Sequence, residues 1–332
     1  MKDLYNLHKF YNNGKSSKQL NNRRKSFGYQ VLGFGSGVAV AAAATHGIMA
    51  FGNASGVISL SNLVNSLGVI SADVTGVGSA RWGAAGAGYG GDKGIAAYGT
   101  TGSLTAVSNL FSNIGVVSAD VSGVGTARLS PGACVYGGDK AVFVFGGEYT
   151  NIKNLVSNSG VVASDAAGVG TAREQPTATE YGADKDLGIF HGGMTLSYTT
   201  IRNLISNTGV VATDSSGAGT ARATVTGTRY GTDTAIMGGG ILHSTDFSVT
   251  NKIANDGTVA SDVASVMEER YGMGGAEFGG DKAIWAFGHR TGADAADLTI
   301  SNIISNAGVV AADNAGVGIA RVYPVGCGIG TQ

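Results

Sequence analysis

The chain has 332 residues, of which 56 are Gly and only 3 Pro; 43% are hydrophobic, 14% are charged, and the formal net charge is −1. That apolar share excludes a disordered chain, and the glycines follow no Gly-X-Y period, which excludes a collagen-like rod. No long stretch carries the helical apolar period, so strands and tight turns remain as the building elements.

Residues 1–26 hold seven Lys/Arg (Lys2, Lys9, Lys15, Lys18, Arg23, Arg24 and Lys25) against Asp3, so this arm is about +6 and the rest of the chain about −7. A terminus of this kind is either solvated and flexible or an arm that docks on an acidic partner. Its longest basic run is only Arg23–Lys25, so docking on protein is expected before nucleic acid, with Lys15, Lys18, Arg23, Arg24 and Lys25 as the anchoring groups. It lacks an apolar stretch followed by a small-residue cleavage site, so no secretory signal is expected. The next apolar run, "VLGFGSGVAVAAAA" at 31–44, is shorter than the ~20 residues of a membrane helix. It reads as strand, turn and strand, with an inner strand at 37–44.

From residue 62 onward the chain repeats itself. Asn62, Asn109, Asn154, Asn203, Asn251 and Asn302 are each followed eleven residues later by Asp73, Asp120, Asp165, Asp214, Asp262 and Asp313. Eight residues further on stand Arg81, Arg128, Arg173, Arg222, Arg270 and Arg321. A period near 48 residues with four strand-like runs is the signature of a propeller blade. The second strands are predicted to begin near Gly47, Gly94, Ala141, Asp186, Ala235 and Ala283. Gly-Asp turns ("GGDK") and Asn-x-Gly turns ("SNxG") join the strands. The predicted fold is therefore all-β: a six-bladed β-propeller over residues 27–332 with an extended N-terminal arm over 1–26. A stacked β-solenoid is the rival architecture, although its turns usually repeat at shorter spacing. The tail "VYPVGCGIGTQ" after Arg321 is a closing strand that either adds a further partner or displaces "YQVLGFG". Cys134 and Cys327 occupy equivalent positions of non-adjacent units, so no disulfide is expected between them.

The stretch "R…GACVYGGDKAVFVFGG" resembles the kelch pattern: an Arg, a first strand of small apolar residues, and a second apolar strand ending in Gly-Gly. The chain departs from kelch in lacking a Trp in each fourth strand, since only Trp82 and Trp285 exist. The wording "YGGDKA…NLVSNxGVVAxDxxGVGTAR" also resembles repeats of structural proteins of tailed bacteriophages. This resemblance implies a virion component, assembled in the host cytoplasm, in which multiple copies dock through the arm on other virion proteins and display the propeller as a tail, fibre or capsid-decoration module. The partner of the displayed part would then be a host-surface glycan or protein. Neither nucleic acid nor membrane insertion is expected.

Function is expected on the loops that vary between otherwise uniform units. These are the second-to-third connections, "GNASGVIS", "GTTGSLTA", "GGEYTN", "HGGMTLSYTT", "GGGILHSTDFS" and "GHRTGADAAD". Tyr149, His191, Tyr198, His243, His289 and Arg290 are the candidate binding residues there. The repeated Asp and Arg flank the "GVGTAR" loop, and six identical copies suit a structural joint between blades better than a ring of anion receptors. The histidines lie in successive units that spread them apart, with no repeating acid beside them, so no metal site is expected. The GxG pieces lack the Lys-Ser/Thr sequel of a phosphate loop. No nucleophile elbow or Cys-His arrangement occurs, so neither catalysis nor a cofactor is expected. The alternatives are an intracellular scaffold that binds a protein or glycan, and an enzyme acting on polysaccharide.

Overall fold

A computed structural model describes residues 44–330, which contain strands and turns and no helix. The basic arm with Lys15, Lys18, Arg23, Arg24 and Lys25 lies outside the described residues, as does all of the expected 37–44 strand except Ala44.

Six small antiparallel sheets follow one another along the chain. The first contains β1 (His46–Asn53) and β2 (Val57–Val64). The second is β3 (Ala85–Tyr89), β4 (Lys93–Ala97) and β5 (Ser108–Phe111); the third is β6 (Gly132–Tyr136), β7 (Lys140–Val144) and β8 (Lys153–Val156). The fourth is β9 (Thr177–Tyr181), β10 (Leu187–His191) and β11 (Arg202–Ile205). The fifth joins β12 (Thr226–Tyr230), β13 (Thr234–Gly238) and β16 (Thr250–Ile253), with a two-stranded ribbon β14 (Ile241–Leu242) and β15 (Thr245–Asp246) in its loop. The sixth joins β17 (Gly274–Phe278), β18 (Lys282–Ala286) and β21 (Ser301–Ile304), with the ribbon β19 (His289–Arg290) and β20 (Ala296–Asp297). The last strand, β22 (Val325–Ile329), pairs with β1 from His46↔Ile329 to Ala50↔Val325. The tail thus supplies the missing strand of the first sheet. It occupies the position beside β1 that the sequence reading assigned to 37–44.

Each sheet has three strands where four are predicted. The chain does return after the third strand, but only two bridges hold it, as at Val156↔Val162 and Lys153↔Ala166. Between those bridges one backbone bond remains, Ala163 N to Leu155 O at 2.8 Å, and a side chain supplies the rest: Asn154 Nδ2 donates to Ala163 O at 3.0 Å and to Asp165 Oδ1 at 2.9 Å. A second correction concerns unit four. Its second strand starts at Leu187, because the turn Gly182–Asp186 has five residues where Gly137–Asp139 has three. Gly188, and not Asp186, therefore matches Ala141.

Alternation along the strands gives every sheet two apolar faces, and each face packs on a neighbour. Six separate core clusters result, one between each successive pair of sheets. One contains Ala97, Ala133 and Phe143; another joins Met49, Val64 and Ile70 of the first sheet to Ala276, Phe278 and Ile284 of the sixth. The innermost strands touch in the order β3, β6, β9, β12, β17, β22, and β22 touches β3. A small cavity is lined by residues of all six. Glycine is required there: a Cβ on Gly326 would lie 2.3 Å from the Gly275 carbonyl oxygen. Cys134 and Cys327 are free thiols, both buried.

Candidate functional site

The repeated polar residues form a joint between consecutive sheets. Arg173 ends the third unit, with its guanidinium carbon 3.8 Å from the centre of the Phe145 ring in that unit. From there it reaches the fourth: Nε donates to Gly192 O at 3.0 Å, and a terminal nitrogen donates to Asn203 Oδ1 at 2.7 Å. Asp214 of the fourth unit accepts from the Thr171 amide and hydroxyl of the third. Arg128, Arg222 and Arg270 repeat the bond to Asn154, Asn251 and Asn302. Arg81 reaches the Tyr98 and Ala96 carbonyls. Arg321 joins the sixth unit to the first, donating to Asn62 Oδ1 at 2.6 Å and lying 3.7 Å from Asp73. Asp120, Asp165, Asp262 and Asp313 accept in the same way from Ser79, Thr126, Thr220 and the Glu268 amide. Gly125, at φ +80°, makes room for this arrangement, since a Cβ would lie 2.3 Å from Asp165 Oδ1.

The electrostatics follow from burial. Desolvation lowers Arg81, Arg173, Arg270 and Arg321 to about 10, with Asp120, Asp214, Asp313 and Asp73 respectively opposing it. All four remain charged at neutral pH. Desolvation works to raise Asp214, but hydrogen bonds from Thr171 and Asn203 and the nearby Arg173 outweigh it and hold its carboxyl below the usual range.

Five of the six predicted binding residues fall into three groups on the surface, and His191 stands apart. Tyr198 and His243 meet edge to face at 5.2 Å, and the His243 amide donates to the Tyr198 hydroxyl. His289 Nδ1 is 2.7 Å from Asp297, while Arg290 pairs with Glu268 beside it. Tyr149 stands exposed and alone on its loop. His191 does not belong on this surface: it is the last residue of β10, only 5% exposed, and its Nε2 has no partner. Burial, with Arg222 adding to it, pushes its pKa down to about 4.

The residues one and two places after each Arg escape the sequence reading. The second of these positions holds Gly83, Ser130, Gln175, Thr224, Gly272 and Tyr323, all with positive φ. Each amide from Ser130 onward donates to the carbonyl of the preceding unit's residue, from Ser130 N to Gly83 O at 2.7 Å through to Tyr323 N to Gly272 O at 2.8 Å. This belt surrounds a depression of about 160 Å³ where the inner strands begin. On one side stands an aromatic shelf: Tyr323 stacks on Trp82 at 5.2 Å and leans on Tyr271 at 6.0 Å, which in turn touches His289. The one signal in the sequence is that these positions vary while the run before each Arg largely repeats.

The chain matches no known family model and no curated protein.

The cavity between the six strands is lined by charge. Glu180, Arg229 and Glu277 occupy equivalent positions of β9, β12 and β17, and the longer turn of unit four adds Lys185, whose Nζ lies 2.5 Å from Glu277. Burial first, then the neighbouring Glu277 carboxylate, pushes Glu180 up to about 7. Burial also works to raise Glu277, but Lys185 and Arg229 overcome it and hold its carboxyl below the usual range. No cluster of three metal-ligating side chains exists among the described residues, nor any helix long and apolar enough to cross a membrane.

Proposed function

We propose that the chain is a six-bladed, kelch-like β-propeller acting as a non-enzymatic structural and recognition protein of a bacteriophage particle. The arm docks on another virion protein, and the propeller is displayed toward the host surface. Six sheets with six intervening cores, and a final strand paired to the first sheet, support the propeller reading. The observation that carries the recognition role is the division of labour between conserved-looking joints and varied loops. Identical Asn, Asp and Arg residues hold every junction, while variation is concentrated at one end of the sheets, around the aromatic shelf. A rigid frame presenting variable loops is the usual arrangement of a binding module. The phage setting rests on the wording of the repeats.

Immunogold microscopy of purified particles, with antibody raised to the full chain, tests this setting. Label on tail or capsid is expected. Unlabelled particles with the protein free in host lysate would move the role to an intracellular scaffold. Deleting residues 1–26 is expected to abolish incorporation into particles without altering the thermal midpoint of the remaining chain.

A further inference from the structure

We propose that the depression inside the belt binds one neutral pyranose ring of a glycan, packed against Tyr323 where the shelf borders the depression. This inference rests on the recognition reading and names its ligand class.

Three observations support it. The first is the aromatic shelf, because the C–H face of a sugar ring packs on an aromatic face, and Tyr and Trp join an apolar body to a polar tip. Tyr323 lines the depression and Trp82 stacks on its ring, both half-buried, so a ligand at Tyr323 is reported by Trp82. The second is unmet hydrogen bonding. Thr177 is only 3% exposed and its Oγ1 has no partner; Ser130 Oγ is likewise buried and unpaired. Both residues line the depression, and Thr177 Oγ1 lies toward Gly227, where a Cβ would come within 2.9 Å of it. A buried hydroxyl without a partner is costly, and a ligand hydroxyl would satisfy it. The third is charge. Gly, Ala, Pro, Ser, Thr, Gln, Met, Val and Tyr line the space, with no ionic group among them. Among the groups that raise the Tyr323 hydroxyl beyond burial, Tyr271 and Tyr198 come before the one carboxyl, Glu174, which is itself raised by burial. An acidic sugar would find no cation here, whereas a neutral polyol finds hydroxyl, amide and ring surfaces together. The volume of about 160 Å³ suits a single ring and not a branched unit.

The chain carries its own reporter. Its two tryptophans are Trp82, at the shelf, and Trp285, which is fully buried. The full chain is titrated with a panel of neutral oligosaccharides (maltotriose, cellotriose, chitotriose, galactotriose and mannotriose) and with sialyllactose and galacturonate trimer as acidic probes. A saturable change in Trp emission is expected with at least one neutral member and with neither acidic one. Thr177→Val keeps the shape of the strand residue and removes the orphan hydroxyl; Tyr323→Asn removes the ring but tolerates the left-handed backbone. Each is expected to weaken binding at least tenfold with an unchanged thermal midpoint or, for Tyr323→Asn, a small decrease. No saturable response to any neutral probe, tighter binding of an acidic probe, or unchanged affinity in Thr177→Val would overturn the proposal. Adsorption of the full chain to host cells separates the two levels of failure. Adsorption that survives Tyr323→Asn and Thr177→Val sinks this site and leaves the recognition role standing, whereas a chain that adsorbs to no host cell removes that role itself.

Discussion

Arg173 illustrates the work of one side chain in this molecule. It is fully buried, stacked on Phe145 and hydrogen-bonded to three oxygens in two consecutive units. Lysine has no planar fork with which to repeat that set. Arg173→Lys and Arg173→Met are both expected to destabilise the chain, by about 3 kcal/mol, because the Asn203 Oδ1 and the Gly192 and Thr171 carbonyls are left without their donor; urea denaturation measures it. His191 predicts a pH effect of definite sign. Its folded pKa is about 4, well below the ordinary value of 6.5, so its contribution is present above pH 6.5 and is lost as pH falls toward 4. That contribution is on the order of 3 kcal/mol. Melting curves of wild type and His191→Phe between pH 7 and pH 4 should show the wild type losing more stability than the variant. The repeated Arg was legible as structural from its sixfold recurrence. The burial of His191 was not legible, because strand end and loop look alike in "GIFHGGM".

The turn Gly182–Asp186 shows how a local change in length alters a distant interaction. Two extra residues carry Lys185 from the fourth unit to Glu277 of the sixth. Removing Asp184 and Lys185 restores the three-residue turn of the other units and leaves Glu277 buried beside Glu180 with one cation fewer. A loss of about 3 kcal/mol is expected, and Glu277→Gln in the shortened chain should recover most of it. Glu180 adds a pH window opposite to that of His191. Its folded pKa is raised from 4.5 to about 7, so its contribution is greatest below pH 4.5 and is lost as pH rises to 7. Glu180→Gln should match wild type at pH 4 and exceed it at pH 8 by about 2 kcal/mol, roughly 3 °C in Tm for a chain of this size. The sequence reading placed this second strand near Asp186 and did not show where the additional residues pointed.

At the largest scale, the described part of the molecule depends on the pairing of its first and last strands. Val325, Cys327 and Ile329 of β22 are buried in the core between the first and second sheets, and the strand shields the edge of β1. Burial of those three side chains alone is worth about 5 kcal/mol, and an uncovered edge invites pairing between chains. Truncation after Arg321 is therefore expected to lower the midpoint of unfolding and to produce oligomers, both measurable by calorimetry and light scattering. Arg321 survives in that truncation, so its bond to Asn62 is insufficient by itself if the prediction holds.

The sequence alone determined the all-β class, the number of units, the turns and the residues of the joints, because each of these depends on local pattern repeated at a fixed period. Only the tertiary structure decided which strand covers β1, that Trp82, Tyr271 and Tyr323 share one shelf, and that Glu180, Lys185, Arg229 and Glu277 face one another. These residues are brought together from three units of the chain in each case, and their adjacency depends on how sheets pack around a common cavity. A repeat within one unit carries no record of that packing.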